Sequence, residues 1–142
     1  MKTLKQLLAE KSGALAVVAP QDTVYHALSV MATHNVGAVL VLDGEHLIGI
    51  FSERDYARKV ILHGKSSKDL MVREVMSERV VIVSPKHSIE ECMALMTDKH
   101  IRHLPVVDGT QVIGIVSIGD LVKQIISNQQ FIISELERYI SG

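Results

Sequence analysis

The stretch Gly114-Ile115-Val116-Ser117-Ile118-Gly119-Asp120-Leu121 decides how this chain is read. Apolar residues lead up to Ser117, a small polar turn follows, and Asp120 opens an apolar run of helical spacing. The same frame stands earlier in the chain, at Gly49-Ile50-Phe51-Ser52-Glu53-Arg54-Asp55-Tyr56. In both copies Gly-Ile is followed by one apolar residue and then by Ser-x-x-Asp. A frame that recurs at a fixed offset signals a duplicated unit.

The duplication reaches well beyond the octapeptide. Residues 18–61 align with residues 83–126 without a gap. Identical pairs include Val18/Val83, Pro20/Pro85, Met31/Met96, Asp43/Asp108, Gly44/Gly109, Gly49/Gly114, Ser52/Ser117 and Asp55/Asp120. Because no gap is needed, loops match as well as elements, and two copies of one supersecondary unit is the economical reading.

Composition bounds what such a chain can do. At 142 residues there is room for one compact domain or two small halves sharing a core. An apolar content of 47% with 22% charged residues is enough to bury that core. Aromatics make up only 4%, so the core is aliphatic. The net charge of −1 gives no basic footprint for nucleic acid. The single cysteine, Cys92, rules out an intramolecular disulfide and a cysteine-based zinc site, and fits a reducing, cytoplasmic setting. The seven histidines are scattered and give no metal-ligand spacing. No apolar run approaches a membrane span. Lys5, Glu10 and Lys11 interrupt any signal-peptide core near the N-terminus.

Taken in order, residues 3–11 carry Leu4, Leu7 and Leu8 at helical spacing, and Gly13 ends that helix. The apolar run 15–19 stops at Pro20 and reads as a strand. Thr23 caps a helix with Val24, Ala27, Leu28 and Met31 on one face. Strands are expected over 36–42 and 47–51 around Asp43-Gly44, with a helix from Ser52 to about Leu62 closed by Gly64. In the second half a strand is expected over 80–83. Ser88-x-x-Glu91 is a capping box, strands follow at 103–107 and 112–116, and a helix opens at Ser117 and runs toward Asn128. Phe131, Ile132, Leu136, Tyr139 and Ile140 suggest a further amphipathic helix. The expected fold is α+β: two β-α-β-β-α units packed face to face with pseudo-twofold symmetry. The domains are an N-terminal helix (1–13), repeat 1 (14–64), a connector (65–78), repeat 2 (79–127) and a C-terminal amphipathic helix (128–142).

These residues resemble the tandem CBS-domain pair, named after cystathionine β-synthase. The likeness rests on the β-α-β-β-α order, on Asp-Gly before Leu-Ile-Gly-Ile or Val-Ile-Gly-Ile, on the two Ser-x-x-Asp turns, and on Ile101-Arg102-His103-Leu104-Pro105-Val106-Val107-Asp108. It covers roughly residues 14–127 and looks like a free-standing pair with no catalytic domain. The resemblance implies a regulatory module that binds adenosine-containing ligands (AMP, ADP, ATP, NAD-type dinucleotides or S-adenosylmethionine) in two clefts between the repeats and associates as a homodimer. Binding would shift the angle between repeats or the dimer contact.

The chemistry of the turns agrees with that. An ionised carboxylate accepts both hydroxyls of a ribose, and a helix N-terminus keeps Asp55 and Asp120 ionised. Ser52 and Ser117 have a hydroxyl that can turn to a ribose or phosphate oxygen, and Arg54 can pair with phosphate. Gly119 lets a ligand approach the backbone. The same Ser-x-x-Asp arrangement is also a helix cap that needs no ligand. The resemblance further implies that the Asp120 site takes its adenine wall from Leu15, Ala16, Val36 and Gly37 and its phosphate contacts from Arg102 or His103. The Asp55 site would use Val80, Val81, Ile101 and Arg102. As strand residues, Leu15, Ala16, Val80 and Val81 have an equally simple role as core. A different reading is a ligand-free module whose terminal helix docks on a partner protein. Enzyme chemistry is disfavoured, because no base is aimed at either serine and Cys92 lies on an inward helix face.

Overall fold

The computed structural model describes residues 3–11 and 15–141. Gly13, the expected helix stop, lies outside them. The first helix, α1 (Leu4–Glu10), is capped by Thr3, whose side chain accepts from the Gln6 amide. β1 (Val17–Val18), α2 (Val24–His34), β2 (Ala38–Asp43), β3 (His46–Ser52) and α3 (Glu53–Tyr56) follow. The second copy contributes α4 (Ile89–Lys99), β4 (His103–Asp108), β5 (Gln111–Ser117) and α5 (Ile118–Ser141). Contacts divide the chain into two compact units. One runs over residues 15–81; the other gathers α1 with the elements from Ile82 onward.

In the first unit β2 lies between β1, parallel to it, and β3, antiparallel. The β2–β3 hairpin is bulged between Val41 and Leu42 and turns at Gly44, whose φ of 63° sits at the first of two central turn residues. α2 lays Val24, Ala27 and Met31 on Val18, Val39, Val41 and Phe51, with Val60, Val72 and Val75 completing an aliphatic core. The connector is part of this unit. Val24 N–H donates to Leu70 O, Val72 N–H to Asp22 O, and Ser77 exchanges two backbone hydrogen bonds with Ile50.

The second unit repeats this plan closely. β4 and β5 pair antiparallel with the bulge at Val106/Val107, and Gly109 turns the hairpin at φ 65°. The helices before each hairpin end alike, on left-handed Asn35 and His100. Cys92, Met96, Ile89, Val83, Leu104, Val106, Val116 and Leu121 are buried.

Three expectations are corrected. The strand expected over 80–83 does not form; only the bridge between Val83 and Val106 is present. Pro105 explains it. In the first unit Leu40 N–H donates to Ala16 O and extends β1. The equivalent donor in the second unit is Pro105, which has no N–H, so the bond toward Val81 O is chemically impossible. Val83 keeps its two bonds, one from its N–H to Pro105 O and one from Val107 N–H. Second, the two C-terminal helices are one 24-residue helix, α5. Asn128-Gln129-Gln130 is polar but contains no breaker, so nothing stops the first helix. Third, the helix from Ser52 is α-helical only through Tyr56. It widens over Ala57–Ile61, where Leu62 N–H reaches back to Ala57 O.

Candidate ligand-binding site

Each hairpin ends on a serine that starts a helix, and each serine is locked to the aspartate three residues on. Ser52 N–H donates to Asp55 Oδ2 at 3.0 Å, and Asp55 N–H returns a bond to Ser52 Oγ at 3.2 Å. In the second copy Ser117 N–H donates to Asp120 Oδ2 at 2.8 Å, and Asp120 N–H to Ser117 Oγ at 3.1 Å. Both turns are tied back across the hairpin in the same way. Glu53 N–H donates to Gly37 O and Ile118 N–H to Arg102 O.

That latch gathers several expected site residues. In the second unit His103 pairs with Ser117 across the strands, beside Arg102 and Asp120. Arg102 is exposed and His103 half-buried. Gly119 is exposed, and an added Cβ there would stand in ordinary contact with Ser117 Oγ, at 3.6 Å. Ile101 is half-buried and follows the left-handed His100. In the first unit Ala38 pairs with Ser52. Val36 and Gly37 line a hollow with Met31, Asn35 and Glu53. Arg54 is exposed on α3. Leu15 is half-buried, whereas Ala16 lies in the core of this unit. Val80 and Val81 are half-buried and lie outside any strand.

Both carboxylates already have cationic partners, which sequence reading did not name. Lys59 Nζ lies 3.2 Å from Asp55 Oδ1, and Ser77 Oγ donates to the same oxygen at 3.2 Å. Asp120 Oδ2 accepts from Lys11 Nζ at 2.8 Å, and Lys11 Nζ also donates to Ile115 O at 2.8 Å. Lys59 was readable as an i,i+4 pair on one helix. Lys11 and Ser77 come from distant chain and carry no local signal.

Electrostatics keeps Asp120 ionised. Burial pushes its carboxyl upward, but the Lys11 ammonium and the Ser117 donors outweigh this and hold it below the ordinary carboxylate value. Cys92 behaves oppositely: burial, aided by the Glu91 charge, pushes its thiol up to about 11. It is therefore a core residue and a poor nucleophile at neutral pH. Among the described residues no helix is long and apolar enough to cross a membrane.

Two copies of a helix-hairpin-helix unit, the first with an added strand β1, each present a capped carboxylate at a helix start and define a duplicated binding module of α+β class. The profile of the CBS domain matches residues 12–62 and 72–127, and the chain belongs to the CBS-domain family. As a CBS pair it is a regulatory module. It is 42% identical over 126 residues to the mitochondrial CBS domain-containing protein CBSX3 of Arabidopsis thaliana. That match covers 85% of this chain and 61% of the Arabidopsis protein, so the chain spans less than two thirds of that relative. The solved structure of a CBS-domain protein of Burkholderia ambifaria superimposes with a TM-score of 0.84 at 48% identity, over 90% of this chain and 96% of that one. The CBS domain pair of protein MJ0100, solved with 5′-methylthioadenosine and S-adenosylmethionine, shares the fold at TM-score 0.79 and 22% identity, over 89% and 98% of the two chains.

Proposed function

We propose that this chain senses an adenosine-containing ligand (AMP, ADP, ATP, an NAD-type dinucleotide or S-adenosylmethionine) at its Ser-x-x-Asp turns. Asp120 and Asp55 accept the ribose hydroxyls, and Ser117, Ser52 and the helix-start amides meet the ribose-phosphate. Arg102, His103 and Arg54 supply phosphate contacts. Apolar surface from Leu15, Val36, Gly37, Val80, Val81 and Ile101 takes the base; Ala16, expected with them, lies in the core. The ligand is regulatory and no resident cofactor is needed. The protein acts in the cytoplasm by shifting the contact between copies, and it is not a catalyst.

The observation that carries this reading is the duplicated carboxylate geometry: two half-buried aspartates, each oriented by its serine at a helix start. The adenosine compounds held by MJ0100 support the ligand class, since that pair shares the fold. A helix cap alone would not call for an open, side-chain-free Gly119 beside the carboxylate.

Association is supported by α5. Beyond Asn128 it is exposed throughout, yet carries Ile132, Ile133, Leu136, Tyr139 and Ile140. Val122, Ile126, Ile133, Leu136 and Ile140 fall at heptad spacing, interrupted by Gln129, which suits the same helix of a second copy. The same face would also serve a ligand-free docking module.

The deciding experiment is calorimetric titration of nucleotide-stripped protein with AMP, ATP, NAD and S-adenosylmethionine, repeated on Asp120→Ala and Asp55→Ala. Saturable binding by one of them is expected, with the larger loss in Asp120→Ala, where Arg102, His103 and Gly119 converge. Silence from all four with folded protein leaves the docking module as the function.

A further inference from the structure

We propose that α1 is a detachable cap on the Asp120 site: Lys11 holds the carboxylate that a ribose must take, so ligand binding releases the N-terminal helix. This rests on the reading of Asp120 as the ribose acceptor.

The geometry is one of competition. Asp120 Oδ2 already accepts two donors at 2.8 Å, from Lys11 Nζ and Ser117 N–H. The serine amide belongs to the turn and stays. Lys11 comes from the far end of the chain, and it alone can leave. A vicinal diol held by both oxygens of the carboxylate needs a site on Oδ2, and that is the oxygen the ammonium holds. The pair is poised for exchange, with about a third of the Lys11 side chain and 23% of Asp120 open to solvent.

The element carrying Lys11 is built to come off. α1 has seven residues, too few to persist as an isolated helix. It is held by buried Leu4 and Leu7, and by Leu8 against Gly114 of β5. The Lys11 bonds to Asp120 and Ile115 O secure its last turn.

The other half shows that the arrangement is a design of the repeat. There Met76 covers Gly49, the counterpart of Gly114, and Ser77 donates to Asp55. In each half, then, the segment that leads into the other repeat covers the hairpin glycine and touches the aspartate. The halves differ in strength. Ser77 is fixed by two backbone bonds to Ile50. α1 is tied to the β5 strand by the Lys11 side chain, which donates to Ile115 O. Asp55 also keeps Lys59 from its own helix, whereas the ammonium on Asp120 belongs to the movable segment. Only the Asp120 site can therefore signal by letting a segment go. Linkage makes the effect reciprocal: whatever weakens the cap strengthens the ligand by the same factor.

The test uses adenosine, which offers the diol without a phosphate, on the full chain. Its affinity is measured for wild type, Lys11→Met and Asp120→Asn, alongside amide exchange of residues 4–10. Lys11→Met is expected to bind adenosine at least about fivefold more tightly. Adenosine should speed exchange across α1 in wild type, and Asp120→Asn should show fast α1 exchange without ligand. 2′-Deoxyadenosine, lacking the diol, should leave α1 protected. Equal affinity of wild type and Lys11→Met with α1 exchange unmoved overturns the cap while the ribose reading stands. Weaker binding by Lys11→Met makes Lys11 a ligand contact and overturns the cap as well. If neither protein binds adenosine, and α1 exchange is the same in Asp120→Asn as in wild type, both the ribose reading and the cap fall.

Discussion

Gly49→Ala and Gly114→Ala put one added methyl at matched points of the two hairpins, and the structure predicts unequal costs. Neither glycine has a positive φ, so the substitution tests space alone. At Gly114 the new Cβ would stand 2.5 Å from Leu8 Cδ2, 3.1 Å from Cδ1 and 3.3 Å from Cγ. All three atoms belong to one flexible side chain on a short helix that can tilt. At Gly49 the Cβ would meet Met76 Sδ at 2.5 Å and Cγ at 3.0 Å, and the Ser77 carbonyl oxygen at 3.1 Å. Met76 can swing aside. The carbonyl cannot, because it accepts from Ile50 N–H at 3.0 Å. Overpacking costs about 1–3 kcal/mol, and straining a hydrogen bond up to about 1 kcal/mol. Replacing glycine returns about 0.4–1 kcal/mol through the unfolded chain. Gly114→Ala should therefore land near zero, and Gly49→Ala near 2 kcal/mol of lost stability. For a chain of this size that is a fall in Tm of about 5–8 °C for Gly49→Ala and under about 3 °C for Gly114→Ala. Circular-dichroism melts measure both. Equal losses, or a larger loss at Gly114, would refute the reasoning that a bonded carbonyl is the unyielding neighbour.

Further outcomes follow from other sites. With its thiol raised to about 11, Cys92 should react with a disulfide reagent at pH 8 at least about a hundredfold more slowly in the native protein than in urea; rapid native labelling contradicts its burial. The folded-state pKa of Asp120 lies below its unfolded value, so the group adds stability that is fully present above the unfolded value of about 3.9 and is lost as pH falls through the lower folded value. Urea midpoints of wild type and Asp120→Asn should thus differ between pH 5 and 7 and converge toward pH 2.5; curves parallel throughout count against the Lys11 pair. On α5, Leu136→Lys places a charge in the exposed apolar face and should turn a dimer into a monomer by light scattering with the melt little changed; an unaltered mass removes this face from the interface.

What the sequence reveals here is what repeats or what is local. Thr23, Ser52, Ser88 and Ser117 were readable as helix starts because the capping bond joins residues three apart. The hairpins were readable from Asp43-Gly44 and Asp108-Gly109, and the two aspartates from their shared frame. The strand expected over 80–83 misled because Val80, Val81 and Val83 have the right propensity, while its failure lies in the partner: one proline, Pro105, removes one donor. Lys11 was legible only as a helix-surface charge. Its pairing with Asp120 spans nearly the whole chain and depends on α1 docking against β5, which no local pattern encodes. The polar stretch Asn128-Gln129-Gln130 does not divide the C-terminal helix, because polarity without glycine or proline does not end one.

α1 belongs to the second unit although the first unit follows it in the chain. On the ribosome, residues 15–81 emerge as an uninterrupted stretch and can close their own core before the rest of the chain exists. α1 emerges earlier still, but its partner strand β5 is not made until most of the chain has followed. Its apolar side, Leu4, Leu7 and Leu8, must wait in solvent for a strand more than a hundred residues downstream. A contact that must form late in biogenesis is thus one of the least local in the molecule, and closing so long a loop carries an entropic cost that nearer contacts escape.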